Sequence, residues 1–136
     1  VVGYSGTPLA RKLGIKPGAR LALIGAPEGF AATLDLATVV GAVRVLHAAR
    51  APIDVAVLFA PRRAGLDRRF AAAAEALAPA GGLWVAWPKR ASGVATDLTD
   101  AEVREIGLAA GLVDNKVCAI DAVWSGLRFV RRVRDR

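Results

Sequence analysis

The stretch that most limits what this chain can become is Gly81-Gly82-Leu83-Trp84-Val85-Ala86-Trp87-Pro88, an apolar run closed by proline and then by Lys89-Arg90-Ala91-Ser92-Gly93. A short apolar run bounded by glycine and proline reads as a strand buried on both faces. A helix-like segment precedes it and a polar loop follows. The strand is therefore expected to deliver Lys89, Arg90 and Ser92 to one edge of a sheet, where α/β folds hold ligands.

The flanking segments support that reading. Residues 63–78 repeat Leu66, Phe70, Ala73, Ala74 and Leu77 at helical spacing, and Val55, Val57, Leu58 and Phe59 form a second continuous apolar run ended by Pro61. Strand, helix and strand are thus spaced as a right-handed parallel crossover, with residues 79–82 turning the chain. Residues 20–24 are a further strand between glycines, and 43–46 a weaker one. Thr7-Pro8 predicts a short helix with Pro8 at its first position and Leu9 and Leu13 on one face. Pro27 is expected to open another helix through Leu34. Thr99-Asp100-Ala101-Glu102 is a capping box, which places Val103, Ile106 and Ala110 on the buried face of a helix stopped by Gly111. Residues 116–120 and 127–133 predict a closing antiparallel hairpin, with Trp124 in its connection, exposed to a partner or folded back.

Length and composition narrow the classes. At 136 residues and 54% hydrophobic, one domain over residues 1–136 is expected. No apolar run is long enough for a membrane span and no secretory pattern opens the chain, so a cytoplasmic protein without membrane contact is expected. The chain holds no methionine, so Val1 is expected to mark a boundary and not a start codon. One cysteine, Cys118, excludes an internal disulfide, and one cysteine with one histidine leaves no zinc set. The net charge of +7 suits a polyanion or a solvated surface.

Two resemblances follow from these residues. Leu77-Ala78-Pro79-Ala80-Gly81-Gly82-Leu83-Trp84-Val85 is similar to the leucine, lysine, proline, glycine, glycine and apolar strand of class I S-adenosylmethionine-dependent methyltransferases. That implies a Rossmann-like α/β fold shortened by one strand-helix unit. The mostly parallel sheet would have order 2-1-3-4-6-5, with the last strand antiparallel and helices on both faces. The chain also resembles a family of small bacterial proteins known as a domain of unknown function. The matching stretches are Gly3 to Leu9, Ala26-Pro27-Glu28-Gly29-Phe30, Trp84 to Lys89, Ser92-Gly93, Thr96 to Thr99 and Val123 to Leu127. This second resemblance implies no activity.

The first loop departs from the methyltransferase pattern, which needs close glycines and a carboxylate after the second strand. Pro27 and Glu28 stand in the loop, and His47, Ala48, Ala49 and Arg50 follow the second strand. No cofactor is therefore expected. The expected site is a cationic cleft formed by Glu28, Phe30, Arg62, Arg63, Lys89, Arg90 and Ser92, with Lys89 and Arg62 as the anchors for an anionic small molecule. Tyr4, Ser5 and Thr7 could fold over its mouth. No catalytic group is identified, and the expected role is a non-catalytic ligand-binding or regulatory module. A divergent transferase is one alternative. Another is a nucleic-acid-associated protein using Arg131, Arg132, Arg134 and Arg136, with Arg128, Arg132 and Arg134 on one strand face. A protein partner or homo-oligomer also remains open.

Overall fold

A computed structural model describes residues 7–39 and 41–136. Six strands form one sheet: β1 Arg20–Ile24, β2 Arg44–Leu46, β3 Ile53–Phe59, β4 Leu77–Pro88, β5 Leu112–Ala119 and β6 Trp124–Arg131. Their order is β2-β1-β3-β4-β6-β5, as the resemblance to class I methyltransferases implies. The strands β2, β1, β3 and β4 pair in parallel, and β6 runs antiparallel to both β4 and β5. Helices cover both faces: α1 Leu9–Lys12, α2 Phe30–Thr33, α3 Arg63–Glu75 and α4 Asp100–Ala109.

Alternation along the central strands sorts the core into two layers. Ala56, Leu58, Val85, Trp87, Leu127 and Phe129 face α3 and α4, where Leu66, Phe70 and Val103 close the first layer. Leu21, Val57, Phe59 and Trp84 face the other way, against Leu13 behind α1 and Phe30 of α2. Trp84 and Trp87 thus stand on opposite faces, as their parity requires. The first layer is tight enough that a Cβ on Gly107 would overlap the Phe129 ring, so α4 lies with its backbone on β6.

Several boundaries differ from the sequence expectations, each for a local reason. Pro8 caps α1 from outside: its backbone is extended, and its carbonyl accepts the Lys12 N–H at 3.1 Å. Helix α2 begins at Phe30, because Gly29 before it is left-handed with φ 82°. α3 ends at Glu75 and β4 begins at Leu77. The expected turn at 79–82 is a bulge in the strand: Leu77 pairs with Ile53 and Gly82 with Val55, so β4 carries extra residues between two fixed points. A Cβ on Gly81 would meet the Ile53 carbonyl oxygen at 2.6 Å, which explains glycine there.

The hairpin also moves. β5 starts at Leu112 and β6 already at Trp124, which is half-buried against Phe59 instead of lying in the connection. Ala110 is exposed, and Gly107 takes its place on the buried face of α4. Residues 47–52 alone carry the crossover from β2 to β3, with no helix, because β2 is so short. Arg20 holds that crossover: its N–H donates to the Asp54 carboxylate at 2.9 Å and its Nε to the Pro52 carbonyl at 2.6 Å.

Candidate functional site

The carboxyl end of β4 opens into a cleft of about 830 Å³ on the first face of the sheet. Its floor is apolar, with Trp87, Leu127, Val117 and Leu98, and its rim carries Lys89, Arg90, Thr96, Asp97, Thr99 and Asp100. The floor follows from register: Trp87 pairs with Ser125, and Val117 with Leu127, so all four point to one face. Helix α4 covers the other end of β6 and stops short of this one.

Two helix caps and a set of loop hydrogen bonds shape the rim. Thr99 Oγ1 accepts the Glu102 N–H at 3.4 Å and fixes the start of α4. The Asp97 carboxylate accepts the Arg63 N–H at 2.7 Å, so the loop supplies the cap that Arg62 cannot give α3. Arg63 also reaches Glu102 and Asp67, each at 3.6 Å. On the other side Lys89 Nζ donates to the Asp121 carbonyl at 2.7 Å, and its backbone N–H to the Val123 carbonyl at 2.7 Å. Asp121 Oδ1 accepts the N–H groups of Val123 and Trp124, both at 2.8 Å, which folds the β5–β6 connection against β4.

Of the seven expected site residues, Lys89 and Arg90 line this cleft and the other five do not. Ser92 lies just outside, its hydroxyl donating to the Lys89 carbonyl at 2.6 Å and accepting the Val94 N–H at 3.2 Å. Its role there is to shape the loop. Arg62 is exposed at the start of α3, and Arg63 is held by its carboxylates. Phe30 is buried at 3% exposure and packs edge-to-face on Phe59 at 4.7 Å. Glu28 lines a separate cavity of about 370 Å³ with Gly25, Gly29 and His47. The expected single cationic mouth is thus divided, and the cleft at β4 balances Lys89 and Arg90 against Asp97 and Asp100. Ser125, Leu127 and Val117 were missed; alternation from Trp124 onward was the signal that could have placed them. Tyr4 and Ser5 lie outside the described residues.

The terminal arginines are not one face. Arg131 Nη2 donates to the carbonyls of Ala74 and Leu77, both at 3.0 Å, and so closes the end of α3. Beyond it Val133–Asp135 is a 3-10 turn, which takes Arg132 and Arg134 off the strand. Arg136 Nε donates to the Arg131 carbonyl at 3.1 Å.

The β1 loop is where the methyltransferase resemblance would place S-adenosylmethionine. A Cβ on Gly25 would lie 2.8 Å from Arg69 Nη1, so a guanidinium fills the space beside that glycine. Glu28 is on the first loop, and exposed His47 follows β2 where a ribose-holding carboxylate would be needed. These residues do not fit that pattern.

No protein-family model matches the chain, and no curated protein matches it. Solved structures do. The pyocyanin biosynthetic protein PhzM aligns with 90% of this chain at 12% identity and a TM-score of 0.66, and the chain spans 53% of it, about half its length. The ribosomal protein L11 methylase of Lactobacillus delbrueckii subsp. bulgaricus aligns with 91% of the chain and 75% of its own, at 10% identity and a TM-score of 0.55. Aeropyrum pernix fibrillarin in complex with natively bound S-adenosyl-L-methionine aligns with 94% of the chain and 70% of its own, at 17% identity and a TM-score of 0.52. At these identities the likeness is one of fold, and the chain has a methyltransferase-like Rossmann fold.

Proposed function

We propose that this protein binds a small amphipathic anion in the cleft at the carboxyl end of β4 and acts as a ligand-binding or regulatory module. The observation that carries this reading is the convergence of Lys89 and Arg90 over an apolar floor of Trp87, Val117 and Leu127. An apolar cavity with a few convergent polar groups is the usual form of a small-molecule site. Arg90 is exposed and supplies a planar fork for a carboxylate or phosphate. Lys89 spends one donor on Asp121 and keeps two N–H groups for a ligand. Asp97 and Asp100 at the far rim favour a ligand whose charge sits at one end only. The anchors of this site are Lys89 and Arg90, with Arg90 in place of the expected Arg62.

The test is a titration of Trp fluorescence and thermal stability with aromatic and aliphatic carboxylates and phosphates, with S-adenosylmethionine alongside. Saturation by an amphipathic anion that weakens about tenfold or more in Arg90→Gln, with the melting temperature within about 2 °C of wild type, is the expected result. Affinity unchanged in both Arg90→Gln and Lys89→Gln refutes the site. The second reading, a divergent transferase, is favoured by fibrillarin, a protein of like fold whose structure holds S-adenosyl-L-methionine. Stabilisation by that compound alone would replace the first reading with the second.

A further inference from the structure

The opposite edge of the sheet carries a second concentration of charge that the cleft at β4 does not use. Arg128 stands on the second face of β6, half-buried, with its guanidinium laid over Gly82, where any Cβ would collide with it. Its described partner is Asn115, whose Oδ1 accepts from Nη1 at 3.4 Å. A guanidinium has five N–H donors, so most of its capacity is unspent. Lys116 sits directly across from it on β5, and like charges at facing positions destabilise a sheet unless a counter-charge lies between or beside them. Burial, and then the charge of Arg136, push the Arg128 guanidinium below its usual value. Among the described residues no carboxylate forms an ion pair with Arg128 or Lys16.

Arg128 and Lys16 line a cavity of about 320 Å³ at the amino edge of β1, β3 and β4, together with Gly18, Asp54 and Gly81 among others. Among the described residues Asp54 is the one carboxylate in its lining, and Oδ2 of that residue is already held by the Arg20 N–H. We propose that this cavity binds a phosphate or phosphomonoester dianion, with Arg128 as a two-pronged donor and Lys16 as the second charge. A dianion offers oxygens enough to satisfy the idle guanidinium donors and cancels the repulsion among Arg128, Lys116 and Arg136. Size and chemistry both favour a small ligand over a polynucleotide. The neighbouring aromatic, Phe129, is 0% exposed and faces the other layer, so bases would find no stacking platform.

The test is a calorimetric and NMR titration of the whole chain with inorganic phosphate, with methyl phosphate, and separately with a short single-stranded RNA, in low-chloride buffer. One saturable phosphate site is expected at this edge, weakened at least about tenfold by Arg128→Gln and a few-fold by Lys16→Gln. Lys16 lies on an exposed turn, so its variant reports on the site even if Arg128→Gln does not fold. The proposal is overturned by phosphate that does not saturate below about 50 mM, a level set by the weakest affinities worth calling specific. It is equally overturned by affinity that ignores both substitutions, or by RNA that binds where phosphate does not.

Discussion

On one face of the sheet α3 and α4 lay 13 and 10 residues of helix over Leu58, Val85 and Phe129. On the other, α1 and α2 bring 4 residues each, and chains of that length do not hold helical structure alone. What fixes them is aromatic. Trp84 Nε1 donates to the Leu13 carbonyl at 3.0 Å, across 71 positions of sequence, and Phe30, Phe59 and Trp124 stack edge-to-face at 4.7 and 5.1 Å. The first face is covered by elements with their own periodicity; the second depends on a few side chains that reach out from the sheet. The cleft at β4 lies on the first face because α4 begins only at Asp100, beside the cleft, and leaves the carboxyl end of β4 uncovered.

The hardest blow to that contrast is Trp84→Ala. It should cost about 3–5 kcal/mol, as for other buried large-to-small changes, and hydrogen exchange should show residues 9–15 losing protection before α3 does. Trp84→Phe keeps much of the apolar bulk and removes the donor to Leu13, for about 1–3 kcal/mol. If the Phe variant melts with wild type in urea, the indole bond is not what holds α1.

On the first face the sharpest probe is Gly107→Ala. The added Cβ must displace the buried Phe129 ring, which costs about 1–3 kcal/mol of overpacking against a gain in helix propensity of about 1 kcal/mol. A lower urea midpoint with an unchanged slope is expected; a rise would mean that α4 can lift from β6. Thr99→Ala comes next, at about 1 kcal/mol for a lost cap. Because Thr99 also lines the cleft, this variant should loosen ligand binding together with the start of α4.

The same contrast explains what could be read from the chain. Leu66, Phe70, Ala73 and Ala74 repeat every three to four residues, and Thr99 with Glu102 marks a helix start, so the first face was legible, whereas the sheet order came from the methyltransferase resemblance of residues 77–85. On the second face the two short helices were expected near Pro8 and Pro27, but their packing was not legible, since four residues have no period and Leu13 gives no sign of its partner at Trp84. Phe30 was expected at the site because it lies on the loop that follows the first strand, whereas it fills the layer over Phe59. The cleft was half legible. Lys89 and Arg90 follow from the strand that carries them, but Ser125, Val117 and Leu127 arrive by antiparallel register, which depends on where β6 begins. The bulge at residues 78–81 read as a turn because proline and glycine mark both.

The smallest effect comes from the part of the second face that lies beyond both short helices. Cys118 is half-buried there, and burial raises its thiol above the usual 9.0 while Lys12 and Lys116 pull it down. The net shift is upward, so the folded state holds this proton more tightly than the unfolded chain does. Stability from that difference is complete below the unfolded thiol's value and is lost as pH rises through the folded one. Wild type should therefore lose slightly more urea resistance than Cys118→Ala between about pH 8 and pH 10, the range in which a free thiol titrates. Below pH 9 the thiol should alkylate more slowly than free cysteine, and Lys12→Gln should slow it further by removing a charge that favours the thiolate. Faster alkylation than free cysteine would mean that the lysines outweigh burial at this position. The second face would then be open to solvent past Trp84, and the contrast with the helix-covered face would be larger than packing alone shows.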